Sequence, residues 1–427
     1  MRGRTGIVLV ALAFVIGLAL ARAARVEAQS ARDEILKMAD DVLARIVKLR
    51  GLESAGPISK GVRSREQITQ FLGERVREET GEQDLEAEGK VLRILGLVPD
   101  ELQYREFMLQ LLTEQVGGYY DPEKKTLFLA DWLPLDQQKP VMAHELTHAL
   151  QDQHFNLGRI MADDRRSRND DLVLAHQAVF EGDGTAVMLD YLLEPTGRNF
   201  AQLPDLVFVM RAQFTLMDSQ FRVFQGAPEF IKETLLFPYG YGAAFLQKVR
   251  AKQPWSAVDA LYRDLPSSTE QILHPDRYFG SRDEPRKVEL EDPSGRLGEG
   301  WHATYRNVLG EFQLSVLLRG GGANSEEKAR HAAAGWGGDQ LLLVESAAGR
   351  AVVLSTVWDS EEEAEEFYES LGAWLSKRFP QAARSDESPS AQAFTHAGEY
   401  HAVKRDRDRV RLILGVPLAD APRLKGY

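Results

Sequence analysis

Apolar residues recur at spacings of three and four over Ile35, Met38, Val42, Ile46 and Leu49, with charges between them. That period predicts an amphipathic helix, which Gly51 and the Gly56-Pro57 pair end. Further helices are predicted near 64–80, 84–96 and 101–116, so residues 29–116 read as a helical N-terminal region. The pattern changes at Gly117-Gly118-Tyr119-Tyr120-Asp121-Pro122, which precedes the β-prone run Lys125–Ala130. A hairpin or an edge strand is expected there. A helix then opens at Pro140 and runs to about His154. A polar loop covers about 158–170, and a second long helix covers about 171–193. Two or three more helices fill 203–262.

Residues 266–300 are rich in Pro, Gly, Ser and Asp and read as a linker, with Ser267 as a helix cap and Glu270 three residues later. Beyond it a helix is expected over 303–334. Strands are expected at Gln340–Val344 and Ala351–Val357, a charged helix at Ser360–Arg378, and strands at Glu399–Lys404 and Val410–Val416. The fold class is therefore mainly α with α+β elements. It has a helical N-terminal region, a middle unit over 117–265 and a smaller C-terminal α+β domain over 301–427.

The first residues follow a different logic. Arg2 and Arg4 precede an apolar run from Ile7 to Ala21, and small residues at Ala21, Ala23, Val26 and Ala28 suit a signal peptidase. Residues 1–28 read as a signal peptide that sends the chain to the periplasm or outside the cell, with an uncleaved membrane anchor as the competing reading. No later run is long enough to span a bilayer. The 427 residues carry 64 acidic and 52 basic side chains, for a formal charge of -12. No basic stripe suggests a nucleic-acid partner. Cysteine is absent, so disulfide frameworks, thiolate metal sites and cysteine nucleophiles are excluded, and any metal must be held by His, Asp or Glu.

Residues 144–148 read His-Glu-Leu-Thr-His. Side chains four apart on a helix lie about 40° apart in projection, so both imidazoles can reach one metal ion. Glu145 projects about 100° away, where it can take a proton from water instead of binding the metal. Zinc held by three protein ligands keeps a position for water. Glu181, between Gly182 and Gly184 on one side and Phe180 on the other, is the expected third ligand. Two glycines in a helix cost stability and suggest a close helix approach there. His154 competes for the role at the metzincin spacing, but Gln151 stands where that pattern needs a turning Gly. His176 reads as a core or surface residue. Trp301-His302 and Gly335–Asp339 fit turns and packing as well as a ligand site.

A helical HExxH motif followed by Glu on the next long helix resembles the gluzincin metallopeptidases. The string His144–Phe155 is similar to exported bacterial proteins of zincin type. The resemblance implies a zincin-like metallopeptidase core at 117–265 and a Zn2+ cofactor. It also matches Pro238-Tyr239-Gly240-Tyr241-Gly242 to a segment whose Tyr steadies the oxyanion; Tyr239 occupies that position and Tyr241 is the second choice. Thermolysin-like enzymes place an Asp four residues after the ligand Glu, where this chain has Thr185; Asp183 and Asp190 are the substitutes considered. The motif that grips a substrate N-terminus has no match at 117–121.

The expected activity is that of a secreted or periplasmic zinc metallopeptidase. His144, His148 and Glu181 hold the metal, Glu145 and Tyr239 are catalytic, and the partner is a peptide or protein substrate that can pair with the strand near 125–130. A catalytically inactive zincin-fold binding or assembly protein, and a zinc hydrolase acting on a non-peptide substrate, are the alternatives.

Overall fold

In the computed structural model a helix over 32–50 buries Ile35, Ala39, Val42 and Ile46 along one face, the stripe its apolar period predicts. The structure describes residues 32–79, 82–218, 221–424 and 427, so the expected signal peptide lies outside the described residues. Three more N-terminal helices follow at Arg65–Glu79, Glu82–Ile94 and Tyr104–Gln115. Between the first two of these four helices lies a strand that the helical reading of this region passed over, β1 (Ser59–Arg63). It pairs in parallel with a strand more than sixty residues away, a contact that local periodicity does not report.

Two strands continue this sheet, β2 (Gly118–Asp121) and β3 (Thr126–Ala130). They form the expected hairpin, but the strand order is β1-β3-β2. The run at 125–130 is therefore the central strand, paired on both sides, and the expectation that it is an edge open to substrate is corrected. β2 is the edge strand on the side of the motif helix.

That helix spans Leu135–Phe155 and begins five residues before Pro140, which stays inside its second turn. Asn156, in the left-handed conformation at φ 59°, separates it from a helix at Leu157–Ser167. The expected polar loop at 158–170 is thus mostly helical. Its charges pair along one exposed face, as between Arg159 and Asp163 at 3.9 Å, so polarity there marks solvent exposure and not irregular chain. The long glutamate-bearing helix spans Asp170–Leu193 and is capped by Asn169, whose side chain accepts from the Leu172 N–H. After a helix at Leu206–Asp218 comes the tyrosine-bearing helix, Glu229–Arg250. Pro238 lies inside it and does not open it.

The linker expected at 266–300 is a packed strap. Ser268, Thr269, Glu270 and Gln271 are almost wholly buried, and the Thr269 N–H donates to Asp171 Oδ1 at 2.9 Å. Ser268, one residue later than predicted, caps the short helix Thr269–Leu273 by accepting from the Gln271 N–H. The Pro and Gly content reflects its tight turns.

The C-terminal unit is a seven-stranded antiparallel sheet in the order β4-β5-β6-β10-β9-β8-β7. Its strands are β4 (His302–Asn307), β5 (Trp336–Ser346), β6 (Gly349–Trp358), β7 (Ala383–Ser388), β8 (Ala391–His396), β9 (Glu399–Asp406) and β10 (Arg409–Pro417). Helices occupy Gly310–Arg319, Glu326–Ala333 and Glu361–Arg378. The helical reading of 303–334 thus fails at β4, and β7 and β8 carry too weak an apolar run to be foreseen. The central strands are buried on both faces. Leu341, Leu343 and Leu354 join the helical core, whereas Leu342, Val344 and Val353 meet Leu290 and Leu297 of the strap and Trp301 just beyond it. Two-sided burial accounts for their continuous apolar runs. One apolar cluster extends from Leu85 through Phe237 to Trp374, so N-terminal, middle and C-terminal regions share a core. The fold is mainly α with α+β elements. Among the described residues no helix is long and apolar enough to cross a membrane.

Where the strap and the C-terminal unit meet the glutamate-bearing helix, carboxyl groups are buried. Burial pushes Asp171 up to about 8, although Thr269 donates to it, and Asp339 up to about 6. Unfolded, both titrate near the ordinary value of about 4. Between those limits the folded chain holds more protons than the unfolded one, so stability falls as pH rises from about 4 to about 8. Chelator-treated protein should unfold several degrees lower at pH 8 than at pH 5.5, and Asp171→Asn should flatten that slope. A melting temperature that rises over the same interval would contradict this assignment.

Candidate metal centre

The motif helix is held by its apolar side. Met142, Ala143, Leu146, Ala149 and Leu150 are fully buried and pack with Leu127 and Leu129 of β3. The opposite edge carries His144 and His148. Their rings stand almost perpendicular, at 88°, and their Nε2 atoms are 3.0 Å apart. Glu181 reaches across from the next long helix, with Oε2 at 2.9 Å from His144 Nε2 and 3.4 Å from His148 Nε2. The structure therefore brings together the three residues singled out in the sequence, and one donor atom from each converges on a common point. Two imidazole nitrogens and a carboxylate oxygen are a donor set suited to zinc.

The surroundings fix these donors. Gln151 Oε1 lies 2.8 Å from His148 Nδ1, so Nδ1–H is directed to Gln151 and Nε2 is turned towards the centre. The Gln151 amide nitrogen donates to the carbonyl of Phe180 at 3.1 Å, the residue before Glu181. One buried side chain thus ties together the helices that carry His148 and Glu181. In the sequence Gln151 figures only as a residue that spoils a turn, and Asp183 and Asp190 are the orienting groups expected in place of the Asp missing at Thr185. Asp183 instead binds Arg50 and Tyr262, and Asp190 accepts from the Phe200 N–H.

The two glycines after Glu181 do different jobs. A Cβ on Gly184 would stand 2.8 Å from His144 Cε1, so its absence makes room for the His144 ring. A Cβ on Gly182 would stand 2.5 Å from the carbonyl carbon of Gly242, and one on Gly242 would stand 2.0 Å from the Ala178 oxygen. The glutamate-bearing and tyrosine-bearing helices therefore cross with backbones in contact, which brings Tyr239 to the site. Its ring lies 5.9 Å from that of His144. The charge of Glu181, together with burial, holds the Tyr239 hydroxyl far above the usual phenol range, and this hydroxyl bonds to the Glu181 carboxylate. It keeps its proton and can donate it.

Tyr241 is corrected as the second choice. Two residues further round the helix it faces away, stacks on Phe237 at 5.0 Å and accepts from Arg211 at 3.3 Å. His154 is likewise removed from the ligand set, because its Nε2 lies 2.6 Å from the carbonyl of Glu53 at the surface. His176 pairs with Asp164 at 2.8 Å. Asp339, in the Gly-rich segment, accepts from the N–H groups of Leu309 and Gly310 and so has a structural task.

Glu145 flanks the centre without joining the ligand set. Its Oε2 accepts from the Tyr120 N–H of β2 at 2.9 Å. Burial raises its carboxyl, against the pull of His148 and His144. Burial would also raise Glu181, but the charge of His148 and the hydrogen bonds from both imidazoles hold it well below the carboxylate range. The site opens into a cleft of about 360 Å³, walled by Tyr119 and Tyr120 on one side and by Leu157, Met161 and Phe180 on the other. The wall at Leu157 and Met161 comes from the helix that the sequence reading took for a loop.

A family described as a domain of unknown function (DUF8575) matches residues 297–425, the unit built on the seven-stranded sheet. That match does not reach His144, His148 or Glu181. No curated protein matches the chain. A crystal structure from Chloroflexus aurantiacus, described as a "putative hydrolase with a novel fold", aligns with 18% identity and a TM-score of 0.36, over 60% of this chain and 91% of that one.

Proposed function

We propose that this chain is an exported zinc-dependent metallopeptidase of gluzincin type. The observation that carries the reading is the convergence of His144, His148 and Glu181 beside a partly buried carboxylate, Glu145, that is not one of the three. His144, His148 and Glu181 would hold the ion, and zinc when bound lowers the pKa of water and polarises a carbonyl. Glu145 takes the proton of the attacking water and delivers it to the leaving amine. Tyr239 donates its hydroxyl hydrogen to the oxyanion that develops on the peptide carbonyl. Gln151 keeps His148 in the tautomer the site needs. With β3 paired on both sides, the strand edge available to an extended substrate is that of β2.

Zinc content measured on the purified chain 29–427, beside Glu181→Ala, tests this reading. About one zinc per chain is expected, lost or strongly weakened in the variant, as for a three-ligand site deprived of one ligand. Zinc retained unchanged by the variant would remove Glu181 from the ligand set. Absence of zinc from the folded wild-type chain after zinc is added back would favour a non-catalytic binding protein.

A further inference from the structure

Tyr120 of β2 is bonded to the motif helix at both of its ends. Its phenol donates to Asp152 Oδ2 at 2.9 Å, and its main-chain N–H donates to Glu145 Oε2 at 2.9 Å. Glu145 and Asp152 stand seven residues apart on that helix. Seven residues are two turns, about 10.5 Å along the axis and about 20° apart in projection, so both carboxylates leave the same face. Tyr120 lies along this face and is gripped between them.

Asp152 is outside the convergent donor set, and its side chain is 0% exposed. Besides the phenol it holds Lys125, in the turn between β2 and β3, through Oδ2. Its Oδ1 accepts from the Gly158 N–H at 3.3 Å, at the start of the helix that forms the opposite wall of the cleft. A buried carboxylate with donors on both oxygens is held in one orientation. One side chain therefore fastens both walls of the cleft to the helix that carries His144, Glu145 and His148. Burial, together with the bond to Asp152, pushes the Tyr120 phenol above its usual range, so it keeps its proton and donates.

β2 needs such a fastening. It is a four-residue edge strand, and its ladder to β3 lies on the side away from Glu145. The ladder fixes the strand within the sheet but leaves its open side free to shift relative to the motif helix. The phenol bond closes that freedom at the residue whose N–H meets Glu145.

We infer that Tyr120 and Asp152 are positioning residues: their bond keeps the Tyr120 N–H on Glu145 Oε2, which fixes the carboxylate and leaves its other oxygen for the proton of the attacking water. The catalytic consequence rests on the metallopeptidase reading, whereas the clamp itself does not.

Tyr120→Phe tests it, because the change deletes one oxygen and keeps the ring and the main chain. Amide hydrogen exchange of chain 29–427 is followed by mass spectrometry, beside zinc content and peptide kinetics on the same preparations. One amide in the segment 118–121 should exchange about tenfold faster than in the wild type, the weight of one lost hydrogen bond, while the amides of β3 keep their wild-type rates. On a peptide that the wild type cleaves, kcat should fall about tenfold with KM and zinc content unchanged. Unchanged exchange in 118–121 would overturn the inference whether or not the chain cleaves peptides. Unchanged kcat, or a raised KM at unchanged kcat, would overturn it too, the second by showing that the hydroxyl serves substrate binding. Faster exchange in the variant of a chain whose wild type cleaves no peptide would uphold the clamp and count against the metallopeptidase reading instead.

Discussion

Glu145→Gln should lower peptide hydrolysis by about 10²- to 10⁴-fold, the range spanned by loss of a general base, while zinc content stays at the wild-type level. The geometry separates the two readouts. Glu145 stands outside the convergent set of His144, His148 and Glu181, so its charge is not needed to hold an ion. Gln has nearly the same shape, and its carbonyl oxygen can still accept the Tyr120 N–H that Glu145 now receives at 2.9 Å. What Gln cannot do is take a proton from water. The check is kcat/KM on a cleaved peptide beside metal analysis of the same preparation. Hydrolysis at wild-type rate would sink the assignment of Glu145 as base. Loss of zinc together with activity would show that Glu145 helps to hold the metal.

The parts of this site that could be read from the sequence are those whose chemistry is local. His144 and His148 share a helix face because of their spacing alone, and Glu181 betrays itself through the two glycines beside it. Even there the sequence merges two causes that the structure separates, since Gly184 clears a ring while Gly182 clears a backbone. Gln151 was missed because its task depends on a carbonyl 29 residues away, and glutamine on a helix carries no periodic signal. β1 was missed for the same kind of reason, as its partner β3 comes after three helices. The helix at Leu157–Ser167 was misread because helices exposed on one side can be polar enough to resemble loops. Turn-rich composition misled in the opposite direction at 266–300, where the segment is pinned to the fold by buried Ser268–Ile272, Val288, Leu290 and Leu297 and is not strung between domains.

The same distinction governs the first helix, whose apolar stripe is legible but whose most consequential residue is not part of that stripe. Arg50, its last residue, is 0% exposed and grips Asp183, also 0% exposed, through Nε at 2.8 Å and Nη2 at 3.1 Å. Its second contact, to Asp259, is 2.7 Å long, and the guanidinium lies 4.6 Å from the Trp255 ring centre. Tyr262 donates to the same Asp183 at 2.8 Å. Asp183 stands two residues after Glu181, about 200° round the helix, so this network braces the back of the element whose front carries Glu181. Arg50→Met should cost about 3–5 kcal/mol of unfolding free energy, because it strands the Asp183 charge in the core. Urea unfolding of zinc-depleted protein measures it. Adding Asp183→Asn removes the stranded charge and keeps an acceptor for Tyr262, so the double variant should be more stable than Arg50→Met alone. A cost below about 1 kcal/mol, the scale of a solvent-exposed pair, would mean that the bridge does not brace the site. If the full cost is found, residues 32–50 belong to the frame of the metal centre and are not a segment to be removed on maturation. A chain that starts after Arg50 should then lose zinc as well as stability.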